Sequence, residues 1–199
     1  MYDIELINRN ILEFKKELKN ISPIDVIRKH IIHGSSFILS DTVYYELRSI
    51  IAEKYSLHTN NVLIVGSAKL GFSIAPNKQY KHFGDTSDID IVVVSVDLFD
   101  DLWKQVYTYW ESGGYWENFV KFKDYLFQGW LRPDMLPSSK SFNAATEWWH
   151  FFRQLSNSGK YSSIKVRGAI YKNWDFLESY QLRSVINCRD RLLHEEECI

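Results

Sequence analysis

Apolar residues along this chain recur with two periods, and the switches between them predict its elements. Ile4, Ile7, Ile11, Phe14 and Leu18 recur every three or four residues, with Lys15, Lys16 and Lys19 on other faces, which predicts an amphipathic helix over 3–20. Ser22-Pro23 ends it, and a shorter helix over 24–33 stops at Gly34. Ser40 or Asp41 caps a helix that turns Val43, Leu47, Ile50 and Ile51 inward and runs to about Leu57. Val62–Val65 and Ile89–Val94 are short β-branched runs and read as buried strands. Asp97 caps a helix with Phe99, Trp103, Val106 and Trp110 on one face, broken at Gly113-Gly114. Phe119, Phe122, Leu126 and Trp130 form the next helical stripe. After a proline-rich connector over 132–137, Asn143 opens a helix bearing Trp148, Trp149, Phe152 and Leu155. Ile164, Val166 and Ile170 alternate with Lys165, Arg167 and Ala169, which predicts a strand over 163–171, and a long helix over 174–194 closes the chain.

Two strands close in sequence, a third far away and about six helices predict an α+β domain, a small mixed β-sheet covered by several helices. No repeat, low-complexity tract or linker interrupts the chain. Residues 1–199 therefore read as one domain, with 1–35 as an N-terminal helical extension and 97–199 largely helical apart from the strand near 163–171. At 199 residues, 45% apolar and 16% aromatic, the chain has enough to bury a core and too much to stay disordered. A net charge of −1 argues against a protein that grips nucleic acid with its whole surface, while leaving room for a local basic patch. Cys188 and Cys198 are too few for a disulfide framework, which points to reduced thiols and a cytoplasmic location. The N-terminal residues lack the uninterrupted apolar core of a signal peptide, and no apolar run approaches a membrane span.

The chemistry concentrates in residues 62–96. Asp88 and Asp90 lie two apart at the start of a strand, so they share one face while Ile89 and Ile91 share the other. Two converging carboxylates repel unless a cation sits between them. Mg²⁺, typically held by one or two carboxylates with water and phosphate oxygens completing its shell, resolves that repulsion. Upstream, Gly66 permits close backbone approach and Ser67 adds a hydroxyl at a turn able to cradle phosphate.

Gly66-Ser67 after one strand and Ser87-Asp88-Ile89-Asp90-Ile91 opening the next resemble the polymerase-beta-type nucleotidyltransferase superfamily, over about a fifth of the chain. The resemblance implies a nucleotidyltransferase-like fold and transfer of a nucleoside monophosphate from an NTP. It implies that Asp88 and Asp90 bind Mg²⁺ (or Mn²⁺) as the catalytic pair, and that Gly66 and Ser67 hold the triphosphate. Lys69 and Lys81, in the segment between, are candidate phosphate contacts. The acceptor is open: a protein side chain, a small molecule, another nucleotide or an RNA end, nucleic acid entering only in that role.

The chain departs from that pattern in two places. The spacer over 69–87 is longer than usual and carries Lys78, Lys81 and His82 among Phe72, Tyr80 and Phe83, which suits either a flap over the triphosphate or a solvated loop. In the superfamily a third carboxylate comes from a later strand, yet 163–171 presents Lys165 and Arg167. Asp124, Asp134 and Glu147 are the substitutes at hand. The alternative is therefore a catalytically weak or inactive protein that binds a nucleotide or a partner with the same fold. A plain capping role for Asp88 and Asp90 is a further alternative. The spacing Gly66 to Gly71 matches a P-loop, but Phe72-Ser73 stands where Lys-Ser/Thr is required. The aromatics over 148–155 read as core, with a base-stacking platform as the alternative. The stripe on the first helix packs within the chain or docks a protein partner. His30 and His33, without a third ligand, read as surface or cap residues.

Overall fold

The β-branched runs become strands because both of their faces can be covered. A computed structural model describes residues 3–138 and 142–197; Cys198 lies outside the described residues. Among the described residues, β1 (Val62–Val65), β2 (Ile89–Val94), β3 (Trp130–Leu131) and β4 (Val166–Tyr171) form one mixed sheet in the order β1-β2-β4-β3. β1 is antiparallel to β2 and sets Val65 opposite Asp90. β2 is parallel to β4 and sets Asp90 beside Arg167, while β3 pairs antiparallel at the edge, Trp130 opposite Tyr171. The α+β class and the small mixed sheet are as expected.

Alternation along the strands feeds two cores. Ile64, Ile91, Val93, Val166 and Ile170 pack with α3 (Asp41–Lys54), α5 (Val96–Glu111) and α7 (Asn143–Asn157). Leu63, Val65, Val92, Val94 and Tyr171 pack on the other face with α1 (Ile4–Asn20), α2 (Pro23–Val26), the π-helical segment Ile27–Ile32 that continues it, and α8 (Trp174–Glu197). At about 1.5–3 kcal/mol for each large apolar side chain buried, two covered faces hold the central strands firmly.

α1 begins where Asp3 accepts from the Leu6 N–H at 3.0 Å, and it buries Ile7, Ile11, Phe14 and Leu18. The stripe that was one candidate for docking a partner is thus consumed by the chain's own second core, and Ile4 alone of its five members is exposed.

Several boundaries differ from the pattern-based expectation, each for a local reason. Ser95, not Asp97, caps α5 by accepting from the Leu98 N–H, and Phe99, Leu102 and Val106 face inward. Trp103 and Trp110 face outward instead, with the Lys172 ammonium over the Trp103 ring. α3 stops at Lys54. α6 (Phe119–Phe127) ends before Trp130, which leaves the helical stripe to form β3. Asn143 is the first residue of α7 rather than its cap. β4 starts at Val166, because Ser162 and Ser163 have φ of 51° and 59°, outside strand geometry. No helix among the described residues is long and apolar enough to cross a membrane.

The sheet tolerates no side chain at Gly168. A Cβ there would lie 2.2 Å from Cζ of Phe152, whose ring covers the strand, while the Gly168 carbonyl accepts from the Trp148 indole. Gly168→Ala should therefore destabilise by about 1–3 kcal/mol. At about 2–4 °C per kcal/mol for a chain of this size, the loss should be clear in a thermal melt, and Phe152→Leu should restore part of it. A variant that melts with wild type would show that Phe152 does not press on this strand.

Candidate functional site

Asp88 and Asp90 share the sheet face of Val92 and Val94, at the end of β2 where that face is left partly open. A cleft of about 500 Å³ opens there. Its floor is the start of β2 and β4, its rim includes Gly66, Ser67, Lys78 and Lys81, and Tyr180 and Gln181 of α8 close one side.

Gly66 has φ 67° and ψ −150°, a backbone state essentially confined to glycine, and it turns β1 into the single-turn helix α4 (Ser67–Leu70). A Cβ at this position would stand 3.2 Å from Oδ2 of Asp90. The missing side chain is what allows the Gly66-Ser67 turn and the Asp90 carboxylate to face the same small volume.

Lys69 does not share it. Its side chain is 5% exposed and its ammonium donates to the carbonyls of His33 and Gly34 at 2.7 and 2.6 Å. Burial pushes its pKa down to about 8, and the positive charge of Arg48 adds to the effect, whereas the two carbonyls favour the charged form. The expected phosphate contact from Lys69 is thus replaced by a structural one. The ammonium ties the end of the π-helical segment to α4, whose Ala68, Lys69 and Leu70 are all buried.

The electrostatics of the pair are strained. Asp90 has accessible area through the mouth of the cleft, yet protein crowds it on the remaining sides, and hydration follows the crowding. Desolvation first, then the charge of Asp88, push its pKa up to about 6, while Arg167 and Lys78 pull it back. Asp88 is held differently, with Nε of Arg167 at 3.0 Å from its Oδ2. Arg167 occupies the register position beside Asp90, on the strand where the resemblance implies a third acid.

The spacer over 69–87 is anchored. Phe72 and His82 form a bridge, the Ser73 N–H donates to the Lys81 carbonyl and the Phe83 N–H to the Gly71 carbonyl, each at 2.8 Å. Arg191 of α8 donates to the Pro76 carbonyl and to Oε1 of Gln79, and the Lys15 ammonium sits 4.3 Å above the Tyr80 ring. Lys78, Lys81 and His82 are thereby kept at the cleft.

Pattern reading missed several residues. Of the substitute acids only Asp134 lines the cleft, and both its oxygens accept from the guanidinium of Arg132, at 3.0 and 2.7 Å. Trp149, expected in the core, is 40% exposed and lines the cleft, while Trp148 and Phe152 are core as expected. Gln181 is buried at the cleft wall, on α8 between Leu177 and Val185. His30 is half-buried rather than a surface residue: it meets Glu17 at 2.8 Å and packs edge-on against Phe14.

Among the described residues no three His, Cys, Asp or Glu side chains gather as a metal group. The donor set at Asp88 and Asp90 is two hard carboxylate oxygen groups, that of Asp90 with its pKa raised to about 6 by desolvation and then by Asp88. That set fits one hard divalent ion whose other ligands are water and phosphate. No known protein family, curated protein or solved structure matches the chain.

Two outcomes follow from this geometry. A carboxyl whose folded pKa exceeds its unfolded value favours folding while protonated, and that contribution is lost as pH rises through about 6. In metal-free buffer, Asp90→Asn should gain thermal stability over wild type between pH 5 and 7.5; a difference that stays flat or shrinks would show that Asp90 is not under electrostatic strain. Lys69→Met should lose about 1–3 kcal/mol in a denaturant melt by removing two charge-assisted hydrogen bonds to the carbonyls of His33 and Gly34, with nucleotide affinity unchanged. Weakened nucleotide binding at full stability would return Lys69 to the phosphate site.

Proposed function

We propose that the cleft binds a Mg²⁺-associated nucleoside triphosphate and transfers its nucleoside monophosphate to an acceptor hydroxyl, releasing pyrophosphate, in the manner of a polymerase-beta-type nucleotidyltransferase. The observation that carries this reading is the approach of the Asp90 carboxylate to the Gly66-Ser67 turn, with Asp88 beside it on the same sheet face. Asp88 and Asp90 are the residues that would hold the ion. When bound, Mg²⁺ offsets phosphate charge and stabilises the departing pyrophosphate. The Ser67 hydroxyl and the turn amides orient the phosphates, and Lys81 with Lys78 offsets charge at the rim. In the transfer the acceptor oxygen bonds to the α-phosphorus as the bond to the α,β-bridging oxygen breaks, and the acceptor proton leaves to solvent or to a group on the acceptor.

A specific observation favours a second reading, binding without turnover. Arg167 stands beside Asp90 where an acid would help to deprotonate the acceptor, and Asp134 is engaged by Arg132. General-base help is typically worth about 10²–10⁴ in rate, so its absence leaves binding intact and transfer slow unless the acceptor or a partner supplies the base.

Calorimetry with each of the four NTPs tests the shared part of both readings. Binding should require Mg²⁺ and disappear in the Asp88→Asn, Asp90→Asn double variant, and Ser67→Ala should weaken it with the melting temperature nearly unchanged. At ligand 100-fold above Kd the complex should gain about 2.7 kcal/mol of stability. Equal affinity with and without Mg²⁺ would contradict both readings. Incubation with labelled NTP and cell extract then separates them, since labelled product means transfer and binding without product means a nucleotide-binding protein.

A further inference from the structure

The Arg167–Asp88 pair lies in the floor of the cleft, and the interaction is of a kind made to exchange. Its separation is 3.0 Å, but the Arg167 side chain is 57% exposed and that of Asp88 26% exposed, so water can replace either partner at little free-energy cost. Arg167 is beside Asp90 in the parallel register, and its charge also acts on Asp90. The arginine thus offsets part of the charge of the two carboxylates that the proposed ion would use. A guanidinium also presents paired donors that match phosphate oxygens.

Resting on the proposed function, we infer that Arg167 is an exchangeable counter-ion. It holds Asp88 while the cleft lacks a cation, and it passes to a phosphate oxygen of an incoming polyphosphate when a divalent ion takes Asp88. The ion and the arginine compete for one carboxylate, whereas the arginine and the polyphosphate attract. Metal alone therefore binds weakly, metal together with polyphosphate binds well, and Arg167 is the positioning residue that couples them.

Arg167→Gln separates the two effects because they have opposite signs. Mn²⁺ alone, followed by the loss of its free-ion paramagnetic resonance signal, should bind about threefold tighter than to wild type, the scale of an exposed ion pair removed. Magnesium tripolyphosphate, followed by calorimetry, should bind about tenfold weaker through loss of a charge-assisted contact. Arg167→Lys should keep Mn²⁺ affinity near wild type and recover only part of the polyphosphate affinity, since a point charge lacks the fork. Arg167→Lys should melt with wild type, and Arg167→Gln slightly below it in metal-free buffer, because an exposed pair offsets only part of the carboxylate repulsion. Affinities that both fall, both rise or both stay unchanged in Arg167→Gln overturn the inference. If wild type binds neither probe, the proposed function fails with it; if wild type binds both and only the opposed movement is missing, this inference alone fails.

Discussion

Two negative charges on one face at the beginning of a central strand are the constraint on which the rest of this structure depends. At the roughly 6–7 Å between same-face neighbours on a strand and an effective dielectric of 20, two like charges repel by about 2–3 kcal/mol, comparable to the burial of one large apolar side chain. The fold holds Asp88 and Asp90 there by making the strand immovable on both faces. Ile89, Ile91 and Val93 are locked into one core and Val92 and Val94 into the other, so the repulsion cannot be relieved by moving β2. It is relieved by surroundings instead, through Arg167 on Asp88 and the fields of Arg167 and Lys78 on Asp90.

Parts of the chain remote from the cleft serve the same arrangement. The Lys69 ammonium fastens the first helical layer to α4, and the Ser36 hydroxyl donates to the Ala68 carbonyl at 2.8 Å, so the turn carrying Ser67 is held from behind. Tyr44 of α3 accepts from the Ile64 N–H through its hydroxyl and steadies β1 from the other core. α8 grips the spacer through Arg191 and presents Tyr180 and Gln181 to the cleft. The two cores thus fix the two walls of the site independently.

Periodicity made the strands and amphipathic helices legible, because a buried β-branched run such as Val62–Val65 and a stripe such as Ile7, Ile11, Phe14 and Leu18 have one physical solution each. The proximity of Asp88, Asp90 and the Gly66-Ser67 turn was legible too, since it needs only strand alternation and a glycine between two paired strands. What stayed hidden depends on partners distant in sequence. Trp130 fits a helical stripe and becomes a strand because β4 offers it a free edge. Lys69 looks like a phosphate ligand until the carbonyls of His33 and Gly34 are known to lie within reach. Arg167 reads as the outward residue of an alternating strand, and only the parallel register shows that outward means toward Asp88. Gln181 lies four residues from both Leu177 and Val185, on the buried stripe of α8, and a single polar residue in such a stripe does not say that it faces a cleft.

The central claim is that a divalent ion is drawn to Asp88 and Asp90, and paramagnetic broadening in a ¹⁵N-labelled sample tests it with residue resolution. Substoichiometric Mn²⁺, added with tripolyphosphate, should broaden first the amides of Gly66, Ser67, the residues from Asp88 to Ile91, and Arg167. It should leave the acidic surface of α5 at Asp97, Asp100 and Asp101 sharp. Broadening that begins on α5, or that spreads evenly over surface carboxylates while the turn and β2 stay sharp, would contradict it.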